Sequence, residues 1–155
     1  MELESLERAL KTHPFLEGMG VGELSFLAGC TKNQRFAAGE YLFREGTGAD
    51  TLFLLRDGRV AVESHVPGRG AVKVETVGAG DVLGWSALFP PHRWHVDGRA
   101  LEPTLAFAVD GRCLRDKIDR EPAFGLSVTR RLLYLVHRRL ERARLQQLDV
   151  YKAEL

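Results

Sequence analysis

Apolar residues change their spacing twice along the chain. Leu3, Leu6 and Leu10 recur at helical intervals, and His13-Pro14 ends that segment. Val21, Leu24, Leu27 and Ala28 give a second short helical face. From Phe36 to about Val109 the pattern becomes short Val-, Leu- and Phe-rich runs: Tyr41–Phe43, Thr51–Leu55, Arg59–His65, Ala71–Val77, Trp94–Leu101 and Thr104–Val109. Between them lie turn residues at Gly39, Gly46-Thr47-Gly48, Asp57-Gly58, Pro67-Gly68-Arg69-Gly70, Gly78-Ala79-Gly80 and Glu102-Pro103. Short strands at even spacing predict an antiparallel sandwich or barrel. Asp57-Gly58 reads as a hairpin turn, because both residues tolerate positive φ.

After Asp110 the pattern is helical to about Val150. A short helix over Gly111–Glu121 is followed by a longer one that Pro122 can open. Leu126, Thr129, Leu133, Val136, Leu140, Ala143, Gln147 and Val150 follow a 3–4 spacing along it. Val128, Leu132 and Leu135 form a second apolar line on a neighbouring face. Such a helix has two things to bury against, namely its own β-structure and the same helix of a second copy. A parallel homodimer through Leu126, Leu133, Val136, Leu140 and Ala143 is the expectation. With Leu126 at a, the arginines at 130, 131, 138, 139, 142 and 144 fall at e, f, f, g, c and e, outside the seam. The whole reads as one mainly β domain with flanking helices over 1–155. N-terminal helices take 1–33, the β-structure 34–109 and C-terminal helices 110–155.

At 155 residues the core is large enough to need no staple. A net charge of +1 argues against a general nucleic-acid coat or a membrane-surface protein. The six arginines between 130 and 144 read first as the solvated side of the long helix, and second as a surface for nucleic acid or an acidic partner. Cys30 and Cys113 have neither metal-ligand spacing nor a disulfide framework, and read as two buried thiols of a reducing cytoplasm. No apolar run is long enough for a membrane span, and the acidic N-terminus is unlike a secretory signal. A cytoplasmic protein is expected.

Three glycine-anchored blocks resemble the cyclic-nucleotide-binding domains. Phe36-Ala-Ala-Gly39-Glu40-Tyr41-Leu42-Phe43-Arg44-Glu45-Gly46 is similar to their opening strands, and Ala49 to Val60 to their next hairpin. Gly78-Ala-Gly80-Asp81-Val82-Leu83-Gly84 is similar to the turn before their phosphate-binding cassette. The resemblance implies an antiparallel double-stranded β-roll, jelly-roll-like, between short N-terminal helices and a long C-terminal helix. It also implies a regulatory or sensory module, not an enzyme. Gly39, Gly46, Gly58 and Gly78 read first as positions needing positive φ or close backbone approach.

In that family the ligand's cyclic phosphate sits on a short helix N-terminus, with a glutamate for the ribose hydroxyl and an arginine for the phosphate. The helix would open here at Gly84-Trp85-Ser86-Ala87-Leu88, stopped by Pro90-Pro91. Trp85 stands at the glutamate position and Trp94 at the arginine position, with Arg93 one residue earlier. A one-residue offset on a strand turns a side chain to the other face. Each missing charged hydrogen bond costs about 1.5–3 kcal/mol. Losing both weakens binding by roughly two to four orders of magnitude. The candidate ligand residues are Gly84, Trp85, Ser86, Ala87, Leu88, Arg93, Trp94 and His95.

Three readings stay open. The tryptophans fill the old pocket and leave a ligand-free protein-interaction module; or Trp85, Ser86, Arg93, Trp94 and His95 form a pocket for another small anion; or cyclic AMP is held by Arg93 and backbone amides. No resident cofactor is expected. His92 and His95 are three apart, whereas a cupin-type metal pair needs two, so neither a metal nor a catalytic group is expected. The transcription-factor branch carries a winged helix-turn-helix after the long helix, and the chain ends five residues beyond that helix, so direct DNA binding is not expected.

Overall fold

The computed structural model describes residues 2–154, and the side chain of Leu3 lies outside what it describes. Two N-terminal helices, α1 (Glu2–Lys11) and α2 (Val21–Gly29), precede eight strands. These are β1 (Thr31–Phe36), β2 (Tyr41–Phe43), β3 (Thr51–Asp57), β4 (Arg59–Val66), β5 (Gly70–Gly78), β6 (Val82–Leu83), β7 (Asp97–Ala100) and β8 (Thr104–Asp110). Helices α3 (Gly111–Arg120) and α4 (Pro122–Glu154) follow. The strands form two four-stranded antiparallel sheets, ordered β1-β8-β3-β6 and β2-β7-β4-β5. This is the expected β-roll with flanking helices.

The period-two pattern of each strand decides which of two cores a residue enters. Phe53, Leu55, Leu83, Ala106 and Ala108 of the first sheet face Phe43, Val60, Val62, Val77 and Ala100 of the second. Leu52, Leu54, Val82, Phe107 and Val109 point the other way, into a second core with the helices. There Leu10, Leu24, Leu27, Phe124, Val128 and Leu132 cover them. The second apolar line of α4 therefore packs with α1 and α2 over the outer face of the first sheet.

Four sequence readings change. Strand β1 begins at Thr31, earlier than the expected 34, and its polar residues hid it: TKNQRF shows no apolar alternation. Asp57-Gly58 is not a hairpin, because β3 lies in the first sheet and β4 in the second. Gly58, with φ +94, carries the chain across; a Cβ there would strike Thr104 and the Pro103 carbonyl at the β7–β8 corner. Gly78 is not among the positive-φ glycines, while Gly80, two residues on, has φ +91. Finally, Cys30 and Cys113 are joined as a disulfide, with Cα atoms 6.0 Å apart. The pairing Thr31↔Val109 of β1 with β8 brings the end of α2 beside the first turn of α3, across 83 residues of sequence. That proximity cannot be read from the two cysteines alone.

His13 locks the N-terminal segment to the roll. Its Nε2 donates to the Leu55 carbonyl at 2.9 Å, and its Nδ1 accepts from the Phe15 amide at 3.2 Å. Burial lowers its pKa below the usual 6.5, opposed by the Leu55 hydrogen bond and by Asp81.

Candidate functional site: a tryptophan-filled roll and the cleft beside it

The cassette follows β6. Gly84, with φ +97, opens a single 3-10 turn over Trp85–Leu88. A Cβ at Gly84 would lie 2.5 Å from the Thr51 carbonyl and 2.8 Å from the Trp94 ring, so backbone and indole meet where only glycine fits. The chain then turns through a cis Pro90–Pro91 bond and His92, whose φ is +55. Backbone bonds to residues 46–49 fix what comes next: Ala49 N–H donates to His92, Trp94 N–H to Thr47, and Gly46 N–H to Trp94, at 2.7, 3.0 and 2.8 Å.

That anchoring sets the faces of Arg93 and Trp94. Trp94 turns into the roll, 5% exposed, and stacks on Phe43 with ring centroids 4.0 Å apart and planes 11° from parallel. Phe53 lies near the same stack, at 6.4 Å. Phe36, Leu55, Val60, Leu83 and Ala106 pack in the same inter-sheet cluster. Arg93 turns outward, is exposed, and donates to the Gly46 carbonyl at 2.9 Å. The two prolines do not shift the register to bring it in.

A helix opening at Gly84 would offer an anion the amides of Ser86, Ala87 and Leu88. The Ala87 amide already donates to the Gly84 carbonyl at 3.0 Å, as a 3-10 turn requires. Its carbonyl accepts from Arg115 of α3, and its methyl is fully buried in the inter-sheet core. The structure thus separates the predicted residues into two groups. Gly84, Ala87 and Trp94 belong to the roll interior. Trp85, Ser86, Leu88, Arg93 and His95 line a cleft of about 530 Å³ between the cassette and α4. The facing wall of the cleft includes Leu132, Leu133 and Val136. His92 also lines it, and its Nε2 is buried without a hydrogen-bond partner. Among the described residues no group of His, Cys, Asp and Glu could hold a metal ion.

Arg139 was read as part of a solvated arginine face, and the structure corrects this. Its side chain is only 10% exposed, its guanidinium carbon stands 4.7 Å over the Trp85 ring, and its Nε is 3.5 Å from Glu75. Burial lowers its pKa below the usual arginine value, with Glu75 and Asp81 opposing. Arg142 also reaches Glu75, at 3.4 Å. The signal was present in the spacing: Arg139 continues the Val128, Leu132, Leu135 line at i+4. Its charge concealed that it lies on the packed face. Arg131 is also engaged, donating to the Phe15 and Glu17 carbonyls at 2.9 and 2.6 Å.

The family model for the cyclic nucleotide-binding domain matches residues 33–121, more than half of the chain. The chain belongs to the cyclic nucleotide-binding domain family. A protein of Mycobacterium tuberculosis described as uncharacterized is 33% identical over 98 residues, 60% of this chain. The matched stretch is only 18% of that relative's length. A cyclic nucleotide-binding domain from Methylobacillus flagellatus KT superposes with a TM-score of 0.79 at 22% identity, covering 95% of this chain and 83% of that one. The regulatory subunit of a cAMP-independent protein kinase A from Trypanosoma cruzi, bound to guanosine, superposes at 0.65 with 23% identity, covering 79% and 48%. These likenesses show the β-roll fold. No helix among the described residues is long and apolar enough to cross a membrane.

Proposed function

We propose that this chain is a non-enzymatic regulatory module whose cassette is degenerate and whose roll interior is closed by its own tryptophan. The observation that carries this is Trp94 stacked on Phe43 at the position where the family places its phosphate-binding arginine. A cyclic phosphate entering there would displace a buried indole and meet no charged partner, so desolvation of the anion would go uncompensated. The module works as a homodimer through α4, with no resident cofactor. Leu126, Leu133, Val136 and Leu140 support the dimer, being 53%, 68%, 39% and 58% exposed in the single chain. Isothermal titration with cyclic AMP and cyclic GMP tests the proposal. No saturable heat below the millimolar range is expected, and a low-micromolar dissociation constant refutes it.

A second reading is favoured by the cleft beside the cassette. Trp85 and Leu133 give it apolar walls, and Arg93 and His95 put polar groups at one side, a lining that suits a small ring-bearing ligand. The guanosine-bound kinase regulatory subunit of Trypanosoma cruzi supports the idea that this fold accommodates ligands other than cyclic AMP. A ligand there would bear on both the cassette and α4, and so on the dimer helix.

A further inference from the structure

The other flank of α4 carries a second cavity, of about 700 Å³, unrelated to the cassette. Arg130, Tyr134, Arg138 and Arg142 recur every four residues and so share one side of the helix. All four line the cavity, together with Arg131, and the opposite wall is the 13–17 turn and the Gly80-Asp81 corner. Arg131 serves as a fastener, since the Phe15 and Glu17 carbonyls hold its guanidinium. Arg138 is braced against Tyr134, donating to its hydroxyl at 3.1 Å with the guanidinium 5.9 Å from the ring centroid. Arg130 has no ion pair or side-chain hydrogen bond among the described residues, and Arg142 reaches Glu75 at the rim.

The charge balance points to the ligand. Four guanidinium groups line the cavity against two carboxylates, Glu17 and Asp81. Asp81 already accepts the Gly78 amide at 3.0 Å. Glu75, at the rim, adds a third carboxylate through its pair with Arg142, and Arg130 and Arg138 are left with no ion pair among the described residues. Lysines would make a diffuse positive field, but guanidinium forks match the paired oxygens of phosphate groups. Tyr134, 61% exposed, adds a hydroxyl and a ring edge to the same wall.

We propose that this cavity binds a di- or triphosphate group, outside the roll and independent of the cassette, with Arg130, Arg138 and Arg142 as its ligands. The group comes either as inorganic polyphosphate or on a nucleotide, and Tyr134 decides which by stacking or not stacking a base. The test is calorimetric titration of the whole chain with inorganic tripolyphosphate and, separately, with ATP, at low and moderate salt. Binding should weaken as salt rises, because the site is open to solvent. Arg130→Ala with Arg138→Ala should lower affinity for both probes at least tenfold while circular dichroism stays that of the parent. Arg35→Ala, an exposed arginine that lines neither cavity, should leave affinity unchanged. Weaker binding of ATP but not of tripolyphosphate in Tyr134→Ala assigns the nucleotide as the source; equal binding assigns the free polyphosphate. The proposal is overturned by no binding of either probe at millimolar concentration, or by parent-like affinity in the double arginine variant. Loss of affinity in Arg93→Ala alone would also overturn it, by placing the anion at the cassette.

Discussion

Trp94→Ala removes the side chain on which the closure of the roll depends. The indole is 5% exposed, stacks on Phe43 at 4.0 Å and abuts Gly84, so its removal leaves a cavity between the sheets. Large-to-small changes of buried aromatics cost about 3–5 kcal/mol, of which a cavity term is part. Loss of an aligned aromatic pair contributes roughly 0.5–1.5 kcal/mol of this. For a chain of this size, 1 kcal/mol corresponds to roughly 2–4 °C, so a fall in melting temperature of roughly 6–20 °C is expected. Trp85→Ala serves as the internal contrast. Trp85 is half-buried and its main specific partner is the Arg139 guanidinium, an interaction of about 0.5–2 kcal/mol. Urea denaturation of the two variants gives both free energies with one assay. If Trp94→Ala loses less than about 1 kcal/mol, or no more than Trp85→Ala, the indole is not part of the packed interior and the reasoning fails.

Three further outcomes are expected. His13 has a folded pKa below its unfolded 6.5, so below that value the unfolded chain binds more protons and stability drops as pH falls towards the folded pKa. The melting temperature should fall between pH 7 and 5.5, and the fall should be smaller in His13→Gln; an unchanged slope contradicts the assignment. Reducing the Cys30–Cys113 bond releases a loop of 83 residues, for which chain entropy alone gives roughly 4–5 kcal/mol, read as a lower urea midpoint with dithiothreitol. Parent-like stability of Cys113→Ser under oxidising conditions would show that the bond does not constrain the chain. Light scattering should find the parent dimeric and Leu133→Asp with Leu140→Asp monomeric; a monomeric parent, or a dimeric double variant, disproves the α4 seam.

Much of the architecture was legible because two periods, two for strands and 3.6 for helices, decide which residues can be buried together. The Thr51–Leu55 run, the Thr104–Val109 run and the long helix after Pro122 all lie where those periods place them. What stayed hidden depends on contacts distant in sequence. Polar β1 is a strand because it pairs residue by residue with β8, and the disulfide follows from that pairing. The site was half legible. Tryptophans at 85 and 94, where the resemblance implies charged residues, are visible in the sequence alone. Only the backbone bonds between 46–49 and 92–94 decide that Trp94 turns inward and Arg93 outward. Arg139 escaped because composition reads an arginine as solvated, whereas its helical position places it against Trp85 and Glu75.

The most direct test of the account uses the fact that the chain has two tryptophans, hence two indole N–H resonances in a nitrogen–proton spectrum. Each is assigned by its Trp→Phe variant, and both are followed during titration with cyclic AMP. The closed roll predicts that the Trp94 resonance stays in place up to about 1 mM ligand, the range expected after losing both charged contacts. It also predicts contacts between the Trp94 and Phe43 rings in nuclear Overhauser spectra, with and without cyclic AMP. A Trp94 resonance that shifts saturably at micromolar cyclic AMP, with loss of the Phe43 contacts, would contradict the central claim.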